Sequence, residues 1–314
     1  MKAIIFNEYG GPEKLEYIDV PDPKPGDGEV LVKVVAASVN PVDWKVREGR
    51  LKFMTGKKFP LFVGSELSGV VSEIGTGLSE FERGDRVFAG LTRKGGACAE
   101  YAVAKGASTI KIPNDLSHED ASTMAIAGVT PLQAFTIHYK VKKGDRVLVN
   151  GGSGGVGIFA IQIAKVLGAH VTAVCSNRNR DLVLSLGADE VIDYNKEDFR
   201  DRHNAYDVIL DAAANAFFAD SKRSLKKGGM LIKLNISIKT IFLGFWTRFF
   251  SSRKVKMILL KSTKTDLQWM IDHIVSGEIK VIIDKTFHLE QTKEAQEYSQ
   301  SGRARGKIVI SVGS

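Results

Sequence analysis

The chain has 314 residues, of which 44% are hydrophobic and 25% charged; that is ordinary globular composition, long enough for two packed units of the usual ~100–200 residues each. A net charge of +8 raises the question of nucleic acid, but the basic residues are interleaved with acids and no nucleic-acid-binding module is legible, so no such partner is expected. Two cysteines, Cys98 and Cys175, exclude a disulfide framework and a thiolate zinc cage. The start Met1–Phe6 reads as a strand rather than a signal peptide, and no apolar run reaches the ~18 residues of a membrane span; a cytoplasmic setting is expected.

In chain order, the first part is β-rich. Runs such as Glu29–Ala37, Leu67–Ile74 and Ala99–Val103 are separated by glycine and proline turns, among them Pro21–Gly26. From Asn114 the pattern changes: a helical stretch over Ser117–Tyr139 leads through Lys143-Gly-Asp-Arg-Val into alternating strands and helices. These are Val147–Val149, helix Ile158–Leu167, His170–Val174, helix Arg178–Leu186, Glu190–Ile192, Val208–Leu210 and Met230–Lys233. Such alternation predicts a doubly wound parallel sheet with right-handed crossovers. A helix over Asp266–Val275, a short one over Glu290–Tyr298 and a strand at Lys307–Val312 close the chain. The last strand is expected to rejoin the β-rich domain. The domains are therefore placed at 1–120, completed by about 285–314, and at 121–284.

The most informative segment is 147–157, where an apolar strand enters five glycines within 151–157 and then a helix. Gly152, Gly154 and Gly157 fit G-x-G-x-x-G. Absent side chains there allow a tight turn, close approach of N–H groups to a pyrophosphate and close packing of helix on strand. The helix N-terminus adds partial positive charge. A dinucleotide that prefers no 2′-phosphate usually meets an acid after the second strand. Here that stretch reads Ala173-Val-Cys-Ser-Asn-Arg-Asn-Arg180, without an acid before Asp181. Ser176, Asn177 and Arg178 suit a 2′-phosphate, and an arginine opening a helix is explained better by a local anion than by the macrodipole, which opposes it. NADP(H) is the cofactor expected.

Seven colinear segments extend this reading: Ser38–Lys45, Gly64–Gly69, Gly84–Val87, Ala127–Ala134, Gly151–Gly157, Leu186–Tyr194 and Gly302–Ile308. With them the chain resembles the medium-chain dehydrogenase/reductase superfamily over almost every residue. Within it the similarity is to zinc-independent quinone oxidoreductases and enone or alkenal reductases of the chloroplast-envelope type. The resemblance implies an α/β fold, a Rossmann parallel sheet plus a β-rich GroES-like catalytic domain, with cofactor and substrate in a cleft between them. It also implies that Gly154, Gly155 and Val156 meet the pyrophosphate, Thr130 and Leu234 face the nicotinamide, Tyr194 lies near the adenosine phosphate, and Lys307 contacts the cofactor. Lys45 is the polar group implied near the nicotinamide, steadying cofactor or developing enolate. Asn40 is implied to fix loop geometry or the ribose. Asp43 either orients Lys45 or caps a short helix. The zinc members of the superfamily have a Cys and a Gly-His-Glu run where this chain has Asn40-Pro41 and Gly64-Ser65-Glu66. Two ligands are missing from that set, so no metal is expected.

Without a Lewis acid, alcohol–ketone interconversion lacks alkoxide stabilisation, whereas hydride addition to a conjugated C=C gives a delocalised enolate. The expected activity is metal-free, NADPH-dependent reduction of enones, alkenals or quinones. One-electron quinone reduction and NADPH binding without turnover remain alternatives. One segment stands apart: 236–264 has no acid, seven basic residues and five aromatics around Trp246. Its aromatics are expected to roof a substrate cleft, with Val255–Leu260 as an edge strand pairing across a homodimer. The alternative is an amphipathic segment lying on an anionic membrane.

Overall fold

The computed structural model describes every residue except Lys57, residues 92–94, Ile236, Ser237 and Ser314, with the backbone alone for Met54 and Ile238. Its strands in chain order begin with β1 (Lys2–Phe6), β2 (Glu16–Asp19), β3 (Glu29–Val39), β4 (Leu61–Phe62), β5 (Glu66–Ile74), β6 (Arg86–Gly90), β7 (Tyr101–Lys105) and β8 (Thr109–Lys111). Next come β9 (Arg146–Asn150), β10 (His170–Cys175), β11 (Glu190–Asp193), β12 (Tyr206–Asp211), β13 (Leu225–Lys233) and β14 (Lys254–Met257), and finally β15 (Ile283–His288) and β16 (Lys307–Ser311).

These form two compact units. The first comprises 1–127, 262–275 and 283–314; the second comprises 128–261 and 276–282. In the first, β2-β1-β4 make a small antiparallel sheet, and β15-β16-β3-β5-β6-β8 make a larger one in which β7 also pairs with β3. The long strand β3 explains this sheet. Its valine-rich run is buried along most of its length. One of its edges is taken by β5, the other by β7 over Glu29–Lys33 and by β16 over Ala36–Val39. Val30, Val32, Val34, Leu67, Val71 and Ile308 share one apolar core.

In the second unit the parallel strands run β11-β10-β9-β12-β13-β14. The order reverses between β9 and β12, which is where a doubly wound sheet opens a crevice at its carboxyl edge. Strand β9 is central, and Val147, Leu148 and Val149 are fully buried, as a strand covered on both faces must be. The helix Gly155–Val166 follows it and buries Ile158, Phe159, Ile161 and Ile163.

Two expectations are corrected. The stretch 117–139 is not one helix but His118–Ala121, Met124–Ala127 and Val129–Gln133, followed by a π-helical turn, Ala134–His138. The hydroxyls of Ser122 and Thr123 donate to the carbonyls of Glu119 and Asp120 at 2.8 and 2.7 Å, competing with helix continuation. The boundary between units falls just beyond them, at Ala127/Gly128. Residues 262–275, expected with the nucleotide-binding domain, group with the first unit. Ser262 Oγ donates to the Ala125 carbonyl at 2.7 Å, and Lys264 pairs with Glu80 at 2.5 Å. Leu267, Met270 and Ile271 of the helix Lys264–Val275 are buried.

Candidate functional site

In the second unit the candidate residues gather at the carboxyl edge of the sheet. Strand β9 ends at Asn150, and Gly151 turns the chain with φ of 86°, a left-handed conformation that favours glycine. Gly157 is fixed by packing: a Cβ there would stand 2.1 Å from the Gly151 carbonyl oxygen. Gly154 is different. A Cβ on it would meet nothing closer than 3.6 Å, and its φ of −84° is one any residue adopts. Protein packing therefore leaves the space beside Gly154 open. Gly154 is the N-cap of the helix that begins Gly155-Val156-Gly157, and no side chain caps that helix.

The neighbouring strand β10 ends at Cys175, and Ser176 caps a 3-10 turn over Asn177–Asn179. Ser176 is half-buried, while Asn177 and Arg178 are exposed. Tyr194 directly follows β11 and is also exposed. Leu234 directly follows β13 and is half-buried; Thr130 is buried within the helix Val129–Gln133. Parallel strands thus bring the glycine turn, the Ser176–Arg178 turn, Tyr194 and Leu234 to one edge.

Sequence reasoning misses two features of that edge. Asn179 is buried, and its Nδ2 donates to Ser153 Oγ at 2.9 Å, tying the turn after β10 to the glycine turn. Asn150 donates to Asp211 and to Asn215 at 2.8 and 2.7 Å. The fully buried Asp211 accepts from the Ala216 N–H and lies 3.5 Å from Lys233 Nζ. The only signal for it is a polar residue ending each of three buried strands.

In the first unit, Asn40 and Lys307 meet. The resemblance puts Lys307 at the cofactor and has Asn40 fixing loop geometry or the ribose; the structure buries both in an internal network, with Asn40 capping the helix that follows the loop. Lys307 Nζ donates to Asn40 Oδ1 at 2.8 Å and lies 3.1 Å from Glu66 Oε1. Glu66 is fully buried, and it accepts in addition from Ser38 Oγ, from Asn40 Nδ2 at 2.8 Å and from the Ile126 N–H at 2.7 Å. An ammonium whose bonds point inward to a carboxylate and an amide is a structural cation. The physical reason is the paired charge: Glu66, enclosed by strands, needs a counter-charge.

The same local fold settles Asp43. It closes a capping box with Asn40 at the head of the helix Pro41–Arg47, accepting from the Asn40 N–H at 2.7 Å and from Ser65 Oγ. It caps the helix. Arg47 is fully buried. It donates to Gln296, Gln300 and the Gly10 carbonyl at 2.8, 2.9 and 2.7 Å. Lys45 is half-buried with Nζ 5.4 Å from the centroid of the Trp44 ring. Burial, aided by the Arg50 charge, pulls its ammonium below the usual lysine range.

Burial pushes Asp43 up to about 6, against the opposing pull of Ser65 and the Asn40 N–H. The folded state thus holds this proton to higher pH than the unfolded chain does. Stability from the protonated form is present below pH ~4 and is lost as pH rises through ~6, by about 3 kcal/mol. Asp43→Asn keeps the cap, because its carbonyl accepts the Asn40 N–H and its amide donates to Ser65. Urea midpoints measured from pH 4.5 to 7.5 are expected to show a shallower fall with pH for the variant.

Residues 26–114 match the family model for the alcohol dehydrogenase GroES-like domain, and 186–310 match that for a zinc-binding dehydrogenase. With a β-rich unit and a Rossmann-ordered sheet, this defines the class as the medium-chain dehydrogenase/reductase superfamily. The chain is 35% identical to the chloroplast envelope quinone oxidoreductase homolog of Arabidopsis thaliana, over 99% of this chain and 98% of that one. It is 32% identical to the chloroplastic NADPH-dependent alkenal/one oxidoreductase of Arabidopsis thaliana, over 99% and 79%. The solved quinone oxidoreductase of Coxiella burnetii superposes with a TM-score of 0.93 at 30% identity, covering 100% of this chain and 99% of that one. The chain belongs to the quinone oxidoreductase family of this superfamily.

Proposed function

We propose that the protein is an NADPH-dependent reductase of α,β-unsaturated carbonyl compounds or quinones that works without a metal. The observation that carries this is the acid-free turn Ser176-Asn177-Arg178 placed one strand away from a glycine turn whose Gly154 has open space before it. NADPH, when bound, supplies hydride to the β carbon of an enone or to a quinone. The N–H groups of Gly155 and Val156 hold the pyrophosphate, and the Arg178 guanidinium with Ser176 and Asn177 holds the 2′-phosphate. Tyr194 is assigned to the adenosine phosphate, and Thr130 and Leu234 to the nicotinamide. Lys45 is assigned to the carbonyl oxygen of the substrate, where its ammonium stabilises developing negative charge; burial, which weakens its hold on the proton, suits it to donate.

The metal-free part rests on the donor set. Zinc in this superfamily needs thiolate or imidazole ligands, and the residues at that place are Asn40, Ser65 and Glu66. Glu66 already neutralises a buried ammonium. A zinc ion there would add charge to a cation and find no soft ligand, so the residues do not fit one. Cys98 and Cys175 are free, buried thiols, and burial pushes Cys175 up to about 11 and Cys98 higher still, which leaves both unreactive; a reducing cytoplasm is the setting we assign. A homodimer is part of the same reading, paired along β14, the outermost strand of its sheet.

The test is NADPH oxidation against short enones, alkenals and quinones, with NADH as control. Saturated ketone without a semiquinone signal supports two-electron addition. Tight NADPH binding without turnover on any of them overturns the reading. A paired substitution tests the glycine assignment. Gly154→Ala should change stability by about 1 kcal/mol or less yet weaken NADPH binding roughly tenfold, a loss of ~1.4 kcal/mol. Gly157→Ala should destabilise the fold by about 1–3 kcal/mol or more, since its Cβ meets backbone. Thermal melts and fluorescence titration separate the two.

A further inference from the structure

The helix Ile238–Phe250 presents the wrong face to water. Its inner side is accounted for: Leu243 packs into the core of the second unit, Thr247 is fully buried, and a Cβ on Gly244 would lie 3.0 Å from the Val255 carbonyl oxygen of β14. The outer side carries Ile241, Phe242, Phe245, Trp246, Phe249 and Phe250, which are between 52% and 73% exposed. Their spacing, 241/245/249 beside 242/246/250, makes one continuous stripe on a 3.6-residue repeat. The rings are ordered against each other, Phe245 to Phe249 at 5.3 Å and Trp246 to Phe250 at 5.9 Å between centroids. These side chains stand exposed in the structure.

We infer that this stripe is a docking surface for an anionic lipid membrane, on which the helix lies flat. Charge selects the occupant. Lys239 and Arg248 are exposed on the same helix, and the whole segment 236–264 contains no acid. A second copy seated face to face would set like charges against like, whereas acidic headgroups complement them. Shape agrees, because a convex ridge of rings needs a surface that yields, and the boundary between headgroups and acyl chains does so. Phe and Trp on one face with Lys and Arg at its flanks is the composition that partitions there. The helix has 13 residues, about 20 Å of length against a hydrocarbon core of about 30 Å. No helix among the described residues is long and apolar enough to cross a membrane. Contact is therefore interfacial.

The test uses the full chain with phosphatidylcholine vesicles, with and without about 30% phosphatidylglycerol. Co-sedimentation at low salt is expected with the anionic vesicles, falling roughly tenfold or more with neutral ones or in high salt. Trp246 fluorescence should shift to the blue on binding, and Trp246→Phe should abolish the shift while binding persists. The triple substitution Phe242→Ser, Phe245→Ser, Phe249→Ser should lower binding at least about tenfold. Its circular dichroism and melting temperature should match the parent, since the three rings are exposed. Absence of anionic-vesicle binding overturns the inference, as does binding unchanged by the triple substitution. Concentration-dependent self-association that this substitution removes, without vesicle binding, assigns the stripe to a second copy and overturns it equally. None of these readouts depends on catalysis.

Discussion

Replacing Arg178 with alanine will raise the KM for NADPH roughly 10- to 100-fold while leaving that for NADH within about twofold. The difference between the two coenzymes is a 2′-phosphate, and a charge-assisted hydrogen bond to such a group is worth about 1.5–3 kcal/mol. Arg178 is exposed on the turn after β10, so solvent screening places the effect toward the lower end of that range. Steady-state kinetics with both coenzymes, against one enone, give the comparison directly. Equal effects on NADPH and NADH would remove the 2′-phosphate assignment and leave Arg178 as a surface residue.

Lys307→Met will destabilise the protein by about 3–5 kcal/mol, because it leaves the carboxylate of Glu66 buried without its cation. For domains of this size that is a fall in melting temperature of roughly 10 °C. Adding Glu66→Gln should recover much of the loss. The amide carbonyl then accepts the Ile126 N–H, and the amide nitrogen, which replaces the acceptor of Asn40 Nδ2, donates to Asn40 Oδ1 once the Asn40 amide turns over, that oxygen being vacated by the ammonium. Differential scanning calorimetry of parent, single and double variants measures the coupling as a thermodynamic cycle. A single variant as stable as the parent would contradict the structural role of Lys307.

The glycine turn and the acid-free stretch after β10 are legible in the sequence because each is a local statement. Gly157 is required by backbone only six residues away, and a strand, a turn and a helix are adjacent in sequence. The alternation of apolar runs likewise implies the parallel sheet. What stays hidden is everything that pairs residues far apart. Glu66 and Lys307 are separated by 241 positions, and Arg47 and Gln296 by 249, so neither burial nor partner has any local signature. Charged side chains are usually exposed. Sequence therefore marks neither Lys307 nor Arg47 as buried, and only tertiary structure gives them their acceptors. In the segment 236–264 the aromatic and basic composition is plain, yet periodicity alone does not say which stripe faces the sheet. Gly244 and Thr247 against β14 decide that, and so the aromatics point out.

The division of one edge of β3 between β7 and β16 has a consequence for biosynthesis. A ribosome delivers β3, β5 and β7 early, but the strand that covers Ala36–Val39 comes from residues 307–311, after the whole second unit has emerged. Until then the nascent polypeptide carries an open hydrogen-bonding edge at Ala36–Val39 and a carboxylate awaiting its ammonium. A prematurely terminated product would keep both defects: a strand edge open to pairing with other chains and a carboxylate without its counter-charge.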